Sequence, residues 1–177
     1  MGFLKGFGIG LIIFVALNFV FSMIIAAIAG IIGNYFIALA DWTTIFSVLF
    51  GSITITPHLI IFGGPFGAIS YTGLVTAIAN NEMALILSLI FSLASPIIAA
   101  ILAGRFAGGK RFAFLAWFLI AIICAALLLI PNLVILAGTG ATMETYLLQT
   151  HFILFPGIIN GVFYAPFGML VSEAEFY

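Results

Sequence analysis

The stretch MALILSLIFSLASPIIAAIL, residues 83–102, contains no charged side chain, and its polar groups are three serine hydroxyls. A helix of about 20 apolar residues crosses a hydrocarbon core of about 30 Å. The wall of a membrane barrel would instead alternate apolar and polar positions in segments of about 10 residues. Because backbone groups in lipid must bond within the protein, this stretch predicts a membrane-spanning helix.

The composition of the whole chain points the same way. Of its 177 residues, 66% are hydrophobic and only 5% are charged. A soluble domain is about half apolar and roughly one quarter charged. This chain has too few charges to cover a surface that faces water. We therefore predict an all-α polytopic membrane protein in which residues 1–177 form a single integral membrane domain.

Apolar runs separated by polar or glycine-rich breaks predict a bundle of about six transmembrane helices. The runs are 7–33, 35–50, 57–79, 83–104, 112–136 and 146–171. The second run is the weakest, because it has only about 16 residues and contains Asp41. The alternative is five spans, with the second run re-entrant.

Four basic residues set the predicted orientation. Lys5 precedes the first run, and Arg105, Lys110 and Arg111 lie between the fourth and fifth runs. Positive residues favour the cytoplasmic side. If both groups are cytoplasmic, an even number of crossings separates them, so the second run crosses and both termini are cytoplasmic. We expect the plasma membrane as the location.

Prolines predict breaks in two of the spans. The segments FGGPFG, residues 62–67, and FPG, residues 155–157, place proline beside glycine inside an apolar run. A proline within a helix removes one hydrogen bond and clashes with the preceding turn. Broken helices at membrane depth line cavities and, in transporters, carry binding sites. We predict broken helices near 57–79 and 146–171.

These two regions are similar to one another. HLIIFGG, residues 58–64, and HFILFPG, residues 151–157, share His, Ile, Phe and Gly at the same offsets. An internal repeat of the kind found in transporters and a chance match are both open. Residues 57–75, which contain GGPFGA, are similar to segments of the substrate-binding components of energy-coupling-factor vitamin transporters. That similarity rests on glycine and proline and assigns no family, but it implies a six-helix, solute-binding fold.

Asp41 is the most unusual residue, because an acid at the centre of a membrane costs at least about 2.5–3.5 kcal/mol. One hypothesis is that it binds a solute or cation. The alternative is that it lies near the headgroups and caps a helix. Polar residues in the predicted outer half favour a pocket that opens outward, or else ordinary loop polarity with an aromatic belt. The candidate ligand-binding residues are Asp41, Trp42, Asn132, Gln149, His151 and Asn160.

Other polar side chains lie deep in the runs and need partners. Asn18 and Asn160 are expected to bond each other or a ligand. Ser88, Ser92 and Ser95 lie on roughly one side of the fourth run. They predict hydrogen bonds between helices, with a polar pathway as the alternative.

Catalytic and metal-binding patterns are absent from the sequence. It has no GxSxG elbow, P-loop, HExxH or CxxC, and the single Cys124 is interpreted as a buried apolar residue. His58 and His151 fall at opposite predicted depths, on the order of 20 Å apart, too far to share one haem iron. A net charge of -1 argues against nucleic-acid binding. We expect no enzymatic activity, no metal and no cofactor.

Two functions remain. The first is a small permease-type module that binds a small solute from the non-cytoplasmic side, alone or as the substrate-binding part of a multi-subunit transporter. The second is a non-catalytic structural or assembly subunit of a larger membrane complex. Small-xxx-small spacings such as Gly2-Gly6-Gly10 predict close helix packing within the chain, or a docking face for a partner. The expected partners are the lipid bilayer, a small solute, and partner subunits or further copies of the chain.

Overall fold

A computed structural model describes residues 2–55 and 71–172, and every regular element in these ranges is helical. The elements are α1 (Gly2–Ile28), α2 (Ile32–Ala38), α3 (Trp42–Phe50), the 3-10 turn η1 (Gly51–Thr54), α4 (Tyr71–Ala79), α5 (Met83–Ala107), α6 (Lys110–Thr139) and α7 (Met143–Val171). The prediction of an all-α fold is confirmed.

Four of the described helices, α1, α5, α6 and α7, are long and apolar enough to cross a membrane. A fifth candidate is the pair formed by α2 and α3 with η1, which is bent by 113° at the break between them. Such a pair is either a broken span or a re-entrant loop. Most of the predicted third run, 57–79, lies outside the described residues, so the count of six spans is not confirmed.

Local signals place the helix ends. α5 and α6 each stop before a glycine in the left-handed conformation, with φ of 78° at Gly108 and 68° at Gly140. Glycine adopts this conformation without the strain that a Cβ would cause. α7 begins after Thr142, whose hydroxyl oxygen accepts a hydrogen bond from the Thr145 amide at 3.4 Å. These ends fall within a few residues of the predicted runs.

The helices approach one another through small residues. A Cβ on Gly6 of α1 would lie 2.5 Å from the carbonyl oxygen of Ala103 on α5. A Cβ on Gly104 of α5 would overlap the backbone of Gly168 on α7. Close backbone contact of this kind replaces the hydrophobic force that lipid cannot supply. The small-residue spacing therefore serves packing within the chain at these positions.

The core lies where α1, α6 and α7 meet. Phe14 and Trp117 are both fully buried and contact edge to face, with ring centroids 5.8 Å apart. The indole N–H of Trp117 donates to the backbone oxygen of Asn160 at 3.1 Å. Tyr164 packs against the other side of Trp117, at 6.3 Å between centroids. This aromatic stack fixes α6 and α7 against α1.

The predicted break near 146–171 is wrong. α7 continues without interruption through Pro156 and Pro166. Proline lacks an N–H, so it leaves no backbone donor unpaired in the helix. Gly157 and Gly161 on the same helix pack tightly against α6, where a Cβ on Gly157 would lie 2.5 Å from the Cβ of Ala125. This packing holds the helix together across the proline. Pro57 and Pro65 of the other predicted break lie outside the described residues.

All four basic residues of the chain lie at one end of the bundle, as predicted from their grouping. The Lys5 ammonium lies 5.9 Å from the ring centroid of Phe106, and the ring of Phe3 lies 6.4 Å from that of Phe112. The start of α1 is therefore beside the turn that joins α5 to α6 and carries the other three basic residues. We call this the basic end. Glu82 and Glu144 lie at the opposite end, where α5 and α7 begin.

The glycine contact between α5 and α7 gives a testable prediction. Gly104→Ala should lower the free energy of unfolding by about 1–3 kcal/mol, because the new methyl group overlaps the Gly168 backbone. The matched control is Gly8→Ala on α1, where a Cβ meets no atom within 4 Å. Thermal unfolding in detergent micelles measures both. Equal stability of the two variants would contradict the packing.

Candidate functional site

A cavity of about 420 Å³ opens between α1, α3 and α5. On α1 it is lined by Asn18, Phe21, Ser22 and Ile25, which recur at the i, i+3, i+4 and i+7 spacing of one helical face. On α3 and η1 the same spacing brings a second face to the cavity, formed by Thr44, Ser47, Val48, Gly51 and Ser52, and Thr43 and Ile55 lie beside it. Phe91 and Ser92 of α5 contribute the third wall.

Asp41 caps the N-terminus of α3 and precedes the residues of α3 that line the cavity. Its carboxylate accepts hydrogen bonds from the backbone N–H of Thr44 at 3.2 Å and from the Thr44 hydroxyl at 3.1 Å. The Thr43 hydroxyl also donates to it. The first amides of a helix have no partner within the helix, and an aspartate at this position satisfies them. The capping interpretation of Asp41 is therefore confirmed.

Asn18 holds the far end of α3 against α1. Its side-chain N–H donates to the carbonyl of Leu49 at 2.8 Å, and its oxygen accepts the hydroxyl proton of Ser52 at 2.8 Å. Asn18 lies well inside α1 and is only 6% exposed. Ile25 lies two turns further along α1 than Asn18, and it lines the cavity together with Thr43 and Thr44 at the start of α3. α3 therefore runs from the end where α1 finishes toward the middle of the bundle.

Asn160 of α7 holds the same segment from the other side. Its side-chain nitrogen donates to the carbonyl of Ile53 at 2.5 Å and to that of Ile55 at 3.2 Å. Ile53 and Asn160 are both fully buried. Asn18 and Asn160 therefore do not bond each other, contrary to one prediction. Asn18 instead bonds the backbone carbonyl of Leu49, and Asn160 bonds those of Ile53 and Ile55.

The cavity lies in the half of the bundle away from the basic end. Its α1 residues belong to the second half of that helix, which starts at the basic end. Its α5 residues belong to the first half of a helix that finishes there. All four Lys and Arg are therefore at a distance from it, and the described wall presents hydroxyls, one amide and apolar groups.

Two candidate residues, Asn132 and Gln149, bond each other. The Gln149 side-chain N–H donates to the Asn132 side-chain oxygen at 3.0 Å, and the Asn132 N–H donates to the carbonyl of Leu128 at 2.8 Å. This pair joins α6 to α7. It lies outside the described cavity wall.

The other candidate residues are also dispersed. Trp42 is 43% exposed and contacts Phe46 edge to face at 6.0 Å. His151 is exposed and stacks on Phe155, with ring centroids 5.0 Å apart. None of the six candidates belongs to the described wall of the cavity, although Asp41 is bonded to two residues that do. His58 lies outside the described residues, so its predicted separation from His151 is not described.

The serines of α5 bond within their own helix. Ser88 donates to the carbonyl of Leu85 at 2.8 Å and Ser92 donates to that of Ser88 at 2.6 Å. The prediction of hydrogen bonds between helices is wrong for these two, since the carbonyl one turn back is always within reach of a helical serine. Ser92 lines the cavity, in agreement with the alternative of a polar pathway.

The sequence does carry a signal for the cavity. The polar residues of 18–22 and of 44–52 repeat at helical spacing on otherwise apolar segments. Such a stripe shows that one face of each segment is polar. It does not show that the two faces meet, because that depends on the 113° bend between α2 and α3.

Comparison with protein-family models, with curated proteins and with solved structures gave no match to this chain. The function is therefore argued from the geometry of the cavity. Within residues 2–55 and 71–172, no three His, Cys, Asp or Glu side chains come together as a metal site of such ligands would need.

The asparagine on α7 gives a second prediction. Asn160→Leu keeps the number and branching of the side-chain heavy atoms but removes the hydrogen bonds to the carbonyls of Ile53 and Ile55. The free energy of unfolding should fall by about 1–3 kcal/mol, and amide exchange should rise in residues 49–55. Gln149→Leu is the control, since it also removes one side-chain hydrogen bond of α7 but does not touch η1. A similar rise in exchange in both variants would contradict this role of Asn160.

Proposed function

We propose that this protein is a small permease-type module that binds a small solute in the cavity between α1, α3 and α5, from the non-cytoplasmic side of the plasma membrane. The observation that carries the proposal is the cavity itself, about 420 Å³, with an uncharged wall that is mostly apolar and carries several hydroxyl groups. Ligand pockets for small molecules measure about 300–1,000 Å³. Polar groups within a membrane helix bundle are costly unless they bond each other or serve a ligand.

The position of the cavity supports an outward-facing site. Positive residues favour the cytoplasm, so the basic end and both termini are assigned to the cytoplasmic side. The cavity lies in the other half of the bundle. α3 reaches the middle of the bundle as a short helix that stops there, an arrangement that transporters use to build binding sites at membrane depth.

We also propose six spans. Contacts of Gly2 and Gly6 with Ala107 and Ala103 make α1 and α5 antiparallel. The chain therefore leaves α1 and enters α5 at the same end of the bundle, the one opposite the basic end. Between these two helices it crosses the membrane an even number of times. A total of four or six crossings satisfies this condition, and five does not. We propose six because the run 57–79 is long and apolar enough to cross, in which case α2, α3 and η1 form the first part of the second crossing, as a broken span.

A cavity-filling variant tests the proposed function. Gly51 lines the cavity, and a Cβ there meets no atom within 4 Å, so Gly51→Leu fills the space without a clash at the backbone. The matched control is Gly138→Leu on α6, which is equally open and lies outside the described wall. Both proteins are placed in lipid nanodiscs with a defined mixture of amino acids, amines, sugars and carboxylates. Bound solute is then read by native mass spectrometry.

We expect one non-lipid solute to bind the wild type and the Gly138→Leu control. The amount of bound solute should be at least tenfold lower in Gly51→Leu. Retention of the solute by Gly51→Leu would place binding elsewhere and contradict the proposal. Failure of the wild type to bind any solute, with stoichiometric co-purification of larger membrane proteins, would favour the assembly-subunit alternative instead.

A further inference from the structure

The hydroxyl groups of the cavity wall are already used as donors within the protein. They belong to Ser22, Thr43, Thr44, Ser47, Ser52 and Ser92. Three of them, Ser22, Ser47 and Ser92, donate to backbone carbonyls of their own helices at 2.6–3.0 Å. A serine or threonine hydroxyl has one proton and two lone pairs. Ser47 and Ser92 therefore present acceptor oxygens to the cavity, whereas the Ser22 oxygen also bonds the Tyr35 hydroxyl at 2.6 Å.

The remaining three hydroxyls donate to side chains. Thr43 and Thr44 donate to the carboxylate of Asp41. Ser52 donates to the side-chain oxygen of Asn18. Asn18 in turn uses one N–H on the Leu49 carbonyl. The described polar wall thus offers many lone pairs and few protons, and a ligand that bonds to it must be rich in donors.

The charges around the cavity favour a positive ligand. The four Lys and Arg lie at the basic end, whereas Asp41, Glu82 and Glu144 lie in the opposite half of the bundle, which holds the cavity. The Asp41 carboxylate does not line the cavity, but it accepts hydrogen bonds from Thr43 and Thr44, which do. It also occupies the N-terminus of α3, the place where an anion would otherwise bind. A field of this sign attracts cations and repels anions.

The apolar part of the wall indicates an organic solute. The rings of Phe21 and Phe91 stack at 4.2 Å between centroids, with 12° between their planes, and both line the cavity. Ile25 and Val48 extend this surface. Aromatic faces bind ammonium groups and hydrocarbon alike. A cavity of about 420 Å³ is also far larger than a bare metal ion requires.

We propose that the cavity selects a small organic cation, an ammonium group joined to an apolar body, with the ammonium donating to the hydroxyl oxygens and the body lying against Phe21 and Phe91. This inference rests on the proposed function, since it names the class of solute that the same cavity binds.

Three probes of matched size test the proposal. Phenethylammonium, 2-phenylethanol and phenylacetate share a ring and differ mainly in the charge of the head group. Their affinities for the full chain in nanodiscs are measured by calorimetry at neutral pH. Phenethylammonium should bind at least tenfold more tightly than either of the others. Equal binding of the alcohol, or preference for the carboxylate, would overturn the cation assignment and leave a solute site in place.

The variant Asp41→Asn isolates the charge. Asparagine caps a helix as well as aspartate does, so α3 should remain folded, as checked by thermal unfolding. Affinity for phenethylammonium should fall about threefold to tenfold, while affinity for 2-phenylethanol stays within twofold. An unchanged ammonium affinity would remove Asp41 from the proposal. If none of the three probes binds, the cation inference is overturned, and the solute screen with Gly51→Leu decides separately whether the cavity binds a solute at all.

Discussion

The structure depends on how a helix can stop inside a membrane protein. α3 and η1 reach the middle of the bundle, where lipid and core offer no partner for backbone carbonyls. Asn18 and Asn160 supply those partners from opposite sides, one on α1 and the other on α7. Their two amides replace the hydrogen bonds that a continuing helix would have made. Without them the segment would lose its hydrogen bonds to α1 and α7, which support the wall that α3 and η1 contribute to the cavity.

The residues that join α1 to α5 change in size along the two helices. Near the basic end Gly6 and Gly10 bring α1 onto Ala103 in close contact. Toward the opposite end, the rings of Phe21 and Phe91 stack between the two helices and line the cavity. Small residues thus serve close packing at one end, and large ones form part of the cavity wall at the other.

Much of this architecture is predictable from the sequence, and the part that is not has a physical reason. Long apolar runs define α1, α5, α6 and α7, because length and hydropathy are properties of each segment alone. The continuity of α7 through Pro156 is not predictable in this way, because it depends on how Gly157 packs against Ala125 of another helix. The partners of Asn18 and Asn160 likewise depend on the position of η1.

The same distinction, between properties of one segment and contacts between segments, explains which residues of the candidate site the sequence could predict. Asp41 stands out in the sequence because it is an acid in an apolar run, and the structure gives it a local role as a helix cap. The polar residues that line the cavity are serines and threonines with one asparagine, and each is ordinary by itself. Their polarity matters only because the bend before α3 directs one helical face toward α1 and α5.

A wall of hydroxyls is also the kind of polar surface that a membrane bundle tolerates. A hydroxyl that donates to a carbonyl in the preceding turn of its own helix has its proton satisfied wherever the helix lies. Its burial in the membrane therefore costs less free energy than burial of a charged group. Its lone pairs remain available to whatever occupies the cavity. The single carboxylate stands behind this wall, at the start of α3, where it caps the helix and adds negative charge without itself lining the pocket. In the proposed function the same hydrogen bonds would serve stability and selectivity, since a hydroxyl that donates within the protein keeps lone pairs for a ligand.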